Sequence, residues 1–159
     1  MSKLNVGDKA PAFTLPKNGG EETSLSQFAD KYLILYFYPK DDTPGCTTEA
    51  RDFTALKDEF HQAGARILGV SKDTVAKHEK FIAKHDLSID LGSDEDGKML
   101  EDYGVWVEKN MYGRKYMGIQ RATFLINPAG DVAHIWPKVK VKEHARAVLD
   151  TLKNLKSDA

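Results

Sequence analysis

Lys31-Tyr32-Leu33-Ile34-Leu35-Tyr36-Phe37-Tyr38 is a run of aliphatic and aromatic residues with no polar alternation. Such a run reads as a central strand buried on both faces. The stretch after it, Pro39-Lys40-Asp41-Asp42-Thr43-Pro44-Gly45, is a loop by composition. It ends in a helix-start signal, because Asp42 or Thr43 can cap and Pro44 suits the first turn. A helix is then predicted from Cys46 to His61, with Phe53, Leu56 and Phe60 recurring on one face and Gly64 at its stop. A buried strand, a tight loop and an amphipathic helix make the first half of an α/β unit.

Working outward, Ala65 to Ser71 reads as a second core strand. Thr74 to His85 reads as a helix with Val75, Phe81 and Ile82 inward, and Met99 to Tyr103 as one or two helical turns. Val105 to Met117, broken by Asn110 and Gly113, suits a loop or hairpin. Gln120 to Ile126 is a strand, Asn127-Pro128-Ala129-Gly130 a turn, and Val132 to Trp136 the returning antiparallel strand. Val141 to Leu155 closes the chain as a helix with Ala145, Val148, Leu149 and Leu152 on one face. Upstream, Phe13-Thr14-Leu15 suits a short strand and Ser24 to Phe28 a brief helix. The order predicts a three-layer α/β sandwich, with a mixed central sheet and helices on both faces.

The chain has 159 residues, 41% hydrophobic and 30% charged, which suits one globular domain spanning 1–159. A net charge of −1 argues against a nucleic-acid or membrane-surface binder. No apolar run has the length of a membrane span, and the first residues lack the apolar stretch of a signal peptide. The single cysteine excludes an intramolecular disulfide, so a reducing compartment, the cytoplasm, is the simplest expectation.

That cysteine stands where a loop becomes a helix. Free backbone N–H groups and the helix dipole favour negative charge there. Placement at a helix N-terminus lowers a thiol's pKa, in known cases from about 8.5 to roughly 3.5–7.5, and the thiolate is the nucleophile. Thr43 can donate to the sulfur or to a bound oxygen. Pro39 and Pro44 stiffen the loop, and Gly45 lets other groups approach its backbone. In-line attack on an oxygen, with donors at the departing one, needs such a site. The plainer alternative is that a lone cysteine serves as a small buried hydrophobe. The local residues by themselves support only a generic reactive thiol.

Pro39-Lys40-Asp41-Asp42-Thr43-Pro44-Gly45-Cys46-Thr47 resembles the Pro-x-x-x-Thr/Ser-x-x-Cys motif of peroxiredoxins. The longer run from Phe37 to Ala50 is similar to the bacterioferritin comigratory protein (peroxiredoxin Q) branch. Gly7-Asp8-Lys9-Ala10-Pro11-Ala12-Phe13, Gly69-Val70-Ser71-Lys72-Asp73 and Arg121-Ala122-Thr123-Phe124-Leu125-Ile126 match further family segments in the right order. The resemblance implies a thioredoxin-like fold and a thiol peroxidase acting on hydrogen peroxide and organic hydroperoxides. It makes Cys46 the peroxidatic cysteine, Thr43 a hydrogen-bonding partner of peroxide and sulfur, Pro39 a cover and Arg121 the guanidinium beside the sulfur. A fixed, always-charged fork suits that last task. Glu49, on the same helix face as Cys46, either orients Arg121 or is an ordinary first-turn acid. The chemistry needs no metal, haem or flavin cofactor.

One departure stands out. Many members of the branch carry a resolving cysteine five residues after the first, where this chain has Arg51, or on the next helix, where it has Ile82. The sulfenic acid on Cys46 must therefore be resolved by an external thiol, from thioredoxin, glutaredoxin, glutathione or another subunit's Cys46. Without capture it climbs to the sulfinic state. Since residues five apart differ by about 140° around a helix, a resolver at that position would demand unwinding. Its absence predicts a helix that stays largely folded through the cycle. The expected partners are a small peroxide and that thiol, with no nucleic acid or membrane, and the chain is expected as a monomer or weak homodimer. The competing reading is a non-catalytic redox sensor or holdase on the same fold. A disulfide reductase is disfavoured by the lack of Cys-x-x-Cys.

The other candidates are weaker. The five histidines form no metal-ligand run, and Asp94-Glu95-Asp96-Gly97 lacks calcium-loop spacing. Lys138, Lys140 and Lys142 read as an exposed strand end that can meet an acidic partner. Trp106, Tyr112 and Tyr116 read as core or surface filling, or as walls of a pocket or subunit contact.

Overall fold

The apolar run from Tyr32 to Phe37 forms the middle strand of the main sheet. The structure, a computed structural model, describes residues 4–157. In chain order its strands and helices are β1 (Thr14–Pro16), β2 (Glu22–Ser24), β3 (Tyr32–Phe37), α1 (Pro44–Gln62), β4 (Ala65–Ser71), α2 (Val75–His85), β5 (Asp90–Ser93), α3 (Lys98–Asp102), β6 (Trp106–Met111), β7 (Arg114–Ile119), β8 (Ala122–Ile126), β9 (Val132–Trp136) and α4 (His144–Ser157). Short 3₁₀ turns cover Asn18–Gly20 and Leu25–Phe28.

The main sheet runs β5-β4-β3-β8-β9. β3, β4 and β5 are parallel, and β8 and β9 return antiparallel, so the sheet is mixed as expected. Leu33, Leu35 and Phe37 face one side of β3, while Ile34, Tyr36 and Tyr38 continue the other. This alternation sends side chains into two cores. One core lies under α1, α4 and Phe81 of α2. The other lies under α3, Phe13, Leu15 and Ile119. Helices thus cover both faces in a thioredoxin-like sandwich, although the second cover is one short helix plus irregular chain.

Packing on the first face fixes α1. Cys46, Glu49, Ala50, Phe53 and Phe60 are its buried residues, a helical stripe on the sheet. The Phe53 ring stacks on Tyr36 with centroids 4.8 Å apart. Burying such a ring stabilises by about 1.5–3 kcal/mol. Tyr36 fits because its neighbour on β4 is Gly69, where a Cβ would stand 2.7 Å from Tyr36 Cζ. The Cys46 end of α1 is therefore seated by contacts one and two turns below it.

Several expected boundaries move. α1 begins at Pro44, so Cys46 is its third residue. β8 begins at Ala122, which leaves Gln120 and Arg121 in the link before the strand. Val105 to Met117 resolves into the β6–β7 hairpin, turned at Tyr112 and Gly113, both at positive φ. α4 starts at His144 instead of Val141. β5 is new to the sequence-based order: Asp90-Leu91-Gly92-Ser93 has no strand periodicity and is a strand because β4 offers it an open edge. Leu56 and Val75 are only half-buried. Among the described residues, no helix is long and apolar enough to cross a membrane.

Candidate active site

Pro44 has no N–H to lose at the first helical position. The first turn leaves the amides of Gly45 and Cys46 outside the helical ladder, whose first bond runs from Thr47 N–H to the Thr43 carbonyl at 2.8 Å. Cys46 is free and buried, 1% exposed. Its sulfur faces the sheet because residue 46 belongs to the same stripe as Ala50 and Phe53.

Arg121 reaches that sulfur from the link before β8. Its Nη2 donates to Cys46 Sγ at 3.3 Å, and its Nη1 donates to Glu49 Oε1 at 2.7 Å. The side chains of Arg121 and Glu49 are 16% and 1% exposed. Arg121 and Cys46, 75 positions apart in sequence, thus meet on one turn of α1. Gly45 makes room for the fork: a Cβ there would stand 3.2 Å from Arg121 Nη2.

Glu49 is the unusual carboxyl of the site. Burial pushes its pKa up to about 7 against the opposing pull of Arg121. Glu49 Oε2 and the hydroxyl of Tyr36 are buried without a hydrogen-bond partner among the described residues. Since Oε1 is occupied by Arg121, a proton on Glu49 resides on Oε2. Nearby, His144 is drawn down to about 4 by burial and then by Arg121, and it meets the Thr123 hydroxyl at 2.8 Å.

Thr43 and Pro39 sit differently from the simplest sequence expectation. The Thr43 hydroxyl donates to the Lys40 carbonyl at 2.9 Å, so it offers lone pairs, not a proton, to anything beside the sulfur. Pro39 is exposed just past buried Tyr38, so any cover it gives comes from the solvent side. Arg51 is exposed, and Ile82 is half-buried on α2. Tyr112 is fully exposed at the hairpin tip, Tyr116 is exposed on β7, and half-buried Trp106 carries the Lys72 ammonium 4.8 Å from its ring centroid.

The AhpC/TSA family model matches residues 6–135. The chain belongs to that family. It is 51% identical over 146 residues to peroxiredoxin Bcp of Xanthomonas campestris, covering 91% of each chain. It is 47% identical over 152 residues to peroxiredoxin Bcp of Bacillus subtilis, covering 96% of this chain and 97% of that one. Among solved structures, Xanthomonas campestris peroxiredoxin Q matches with a TM-score of 0.86 at 51% identity, covering 89% of this chain and 90% of that one. A cysteine-to-serine mutant of Xylella fastidiosa PrxQ matches with a TM-score of 0.93 at 39% identity, covering 98% and 99%. This is a peroxiredoxin of the Bcp (peroxiredoxin Q) branch with one cysteine.

This peroxiredoxin carries a feature that sequence reasoning missed. Asp41, in the loop ahead of Cys46, is buried against His78 of α2, with Asp41 Oδ2 and His78 Nδ1 2.7 Å apart. Asp42, next to it, accepts from Lys84 at 2.7 Å and meets His85 Nε2 at 2.8 Å. One signal was available: Val75, His78, Phe81 and Ile82 share a stripe at helical spacing, which places a histidine on the inward face.

Proposed function

We propose that this chain is a one-cysteine thiol peroxidase that reduces hydrogen peroxide and organic hydroperoxides. The observation that carries the reading is the contact between Arg121 Nη2 and Cys46 Sγ, held by the second arm of the same guanidinium on Glu49. A charge-assisted donor aimed at a buried sulfur favours the thiolate as nucleophile and can hold a peroxide oxygen beside it. Xanthomonas campestris bacterioferritin comigratory protein, 50% identical, has been studied for alkyl peroxide reduction, which supports the same substrate class here.

The Cys46 thiolate attacks one peroxide oxygen in line with the O–O bond. The S–O bond forms as the O–O bond breaks, and the departing oxygen takes a proton: Cys46–S⁻ + ROOH + H⁺ gives Cys46–SOH + ROH. Arg121 and the free amides of Gly45 and Cys46 hold the negative charge during transfer. Thr43 Oγ1, its proton committed to Lys40, accepts the peroxide O–H and orients it. An external thiol then displaces water from the sulfenic acid to give a mixed disulfide. A second thiol releases Cys46 and carries away the disulfide. Thioredoxin, glutaredoxin and glutathione are the reductant classes to compare, because the chain has no second cysteine.

The test is peroxide consumption with each thiol supplied separately, beside Cys46→Ser. Many turnovers with at least one thiol, and none in the variant, are expected. Undiminished turnover in Cys46→Ser overturns the mechanism. A single equivalent consumed with every thiol favours a redox sensor instead.

A further inference from the structure

The proposed chemistry depends on the order of the Pro39–Thr43 segment, which is irregular. Asp42 within it sits at φ +62°, a left-handed turn conformation that aspartate tolerates better than most non-glycine residues. Asp41 is the segment's buried member. Its Oδ1 accepts from the Tyr38 hydroxyl at 2.5 Å, and its Oδ2 lies 2.7 Å from Nδ1 of fully buried His78. The other ring nitrogen, Nε2, lies 2.9 Å from the Gly92 carbonyl of β5.

The protons of this pair can be counted. A carbonyl only accepts, so Nε2 carries hydrogen. With no hydrogen between Nδ1 and Oδ2, two lone pairs would oppose each other at 2.7 Å. One proton therefore lies between them. Whether it rests on nitrogen or oxygen, the pair is neutral overall, which a buried site favours over an unpaired charge.

A single peptide group links this pair to the reacting end. The Lys40 carbonyl and the Asp41 N–H belong to one peptide plane. The carbonyl accepts from Thr43 Oγ1 at 2.9 Å, and the N–H donates to Asp73 Oδ2 at 2.8 Å. Asp73 Oδ2 is itself held by the Ser71 hydroxyl at 2.8 Å. Any tilt of this plane turns Thr43 Oγ1 with it.

We propose that Asp41 and His78 are positioning residues of the peroxidatic site, a buried pair sharing one proton that locks the Lys40–Asp41 peptide and thereby aims Thr43. The pair rests on the peroxidase reading of Cys46, and neither residue touches the sulfur. It also explains why an ionisable residue is buried in the loop when an apolar one would fill the space.

The experiment compares His78→Leu, Asp41→Ala and Asp41→Asn with the parent. Two rates are followed, Cys46 with hydrogen peroxide and Cys46 with iodoacetamide, which does not need Thr43. Misplacement by about 1 Å can cost on the order of 100-fold, so a loss of at least about tenfold in the peroxide rate is expected for His78→Leu and Asp41→Ala. Alkylation should change much less. Asp41→Asn should recover most of what Asp41→Ala loses, because its amide N–H supplies a hydrogen to Nδ1 while its oxygen still accepts from Tyr38. Proton NMR should show a slowly exchanging downfield resonance for the shared proton, lost in His78→Leu and Asp41→Ala. Peroxide rates equal to the parent, or peroxide and alkylation rates falling together, overturn the proposal. If His78→Leu does not fold, the two Asp41 variants decide it. A parent that consumes no peroxide overturns the peroxidase reading itself, which is a different result from a parent that works beside indifferent variants.

Discussion

Arg121 Nη1 lies 2.7 Å from Glu49 Oε1, and this pair turns the other arm of the guanidinium onto Cys46 Sγ. The two contacts use the planar fork of arginine, which the single ammonium of lysine cannot reproduce. Glu49 is three residues after Cys46, so one helical turn sets the spacing that the fork must span.

Arg121→Ala and Arg121→Lys should both impair peroxide reduction. Removing one preorganised donor of this kind costs about 10²–10³ in rate, and Arg121→Ala should show a loss in that range in kcat/KM for peroxide. Arg121→Lys should recover only a small part of it, because the ammonium is a single point on a flexible stem and lacks the two fixed arms that meet the sulfur and the carboxylate at once. Steady-state peroxide consumption at saturating reductant measures both. Near-parent activity in the lysine variant would show that charge alone suffices and the fork is idle.

Much of this site was legible in the chain because peroxiredoxin chemistry concentrates its groups in one loop. Pro39, Thr43, Gly45 and Cys46 follow one another closely, and their order marks a helix start. Ala65 to Ser71 was equally clear, since its aliphatic run is bounded by Gly64 and a polar segment. What could not be read depends on partners far along the chain. The direction of the Thr43 hydrogen bond follows from the loop's path over Lys40. The pairing of Asp41 with His78 joins residues 37 apart that have no motif in common. β5 is a strand through its neighbour, not through its own residues.

Glu49 should give the protein's stability a pH dependence of definite sign. Its carboxyl, pushed up to about 7 by burial, starts from 4.5 when unfolded. Between those values the folded state binds more protons than the unfolded state. The contribution is therefore complete below about pH 4.5 and is lost as pH rises through about 7. His144 acts oppositely: drawn from 6.5 to about 4, it binds more protons when unfolded and destabilises as pH falls through that window. The two effects offset each other between about pH 4.5 and 6.5. Glu49→Gln removes one of them. Relative to the parent, the variant should gain stability as pH rises from about 5 to about 8, by an amount on the order of 2 kcal/mol. Urea unfolding at a series of pH values measures it, and a parent-minus-variant difference that does not vary with pH would contradict the assignment.

Gly45 separates stability from activity. It lies in the first turn of α1 with ordinary helical geometry, so alanine suits the backbone there. A helical Gly→Ala change in an exposed position gains up to about 1 kcal/mol, and less at a helix end. The new methyl, however, would stand 3.2 Å from Arg121 Nη2, tighter than a relaxed contact. Glu49 and Cys46 hold the guanidinium, so it yields by moving off the sulfur. Gly45→Ala should melt at or slightly above the parent temperature while losing about tenfold or more in its rate with peroxide. A variant equal to the parent in both measurements would show that the fork has slack.

The single cysteine should also leave its mark on dynamics. A resolver at position 51 would need α1 to unwind, but Arg51 is exposed and contributes no sulfur. Below Cys46 the helix is anchored by Ala50, Phe53 and Phe60, all fully buried. Ahead of it, Asp41 is pinned to His78 and Asp42 to Lys84 and His85. An incoming thiol must still reach a sulfur whose residue is 1% exposed, so the first turn has to open. Opening one turn breaks few helical bonds, because the amides of Gly45 and Cys46 are outside the ladder already. Hydrogen exchange on the Cys46 mixed disulfide with a small thiol should therefore show protection lost at Thr47 through Ala50, whose amides bond carbonyls of the opening turn, and kept from Arg51 through Gln62. Loss across the whole of 46–52 would mean that the helix unwinds even without a resolver, and that unwinding follows from oxidation of the sulfur and not from a second cysteine's demand.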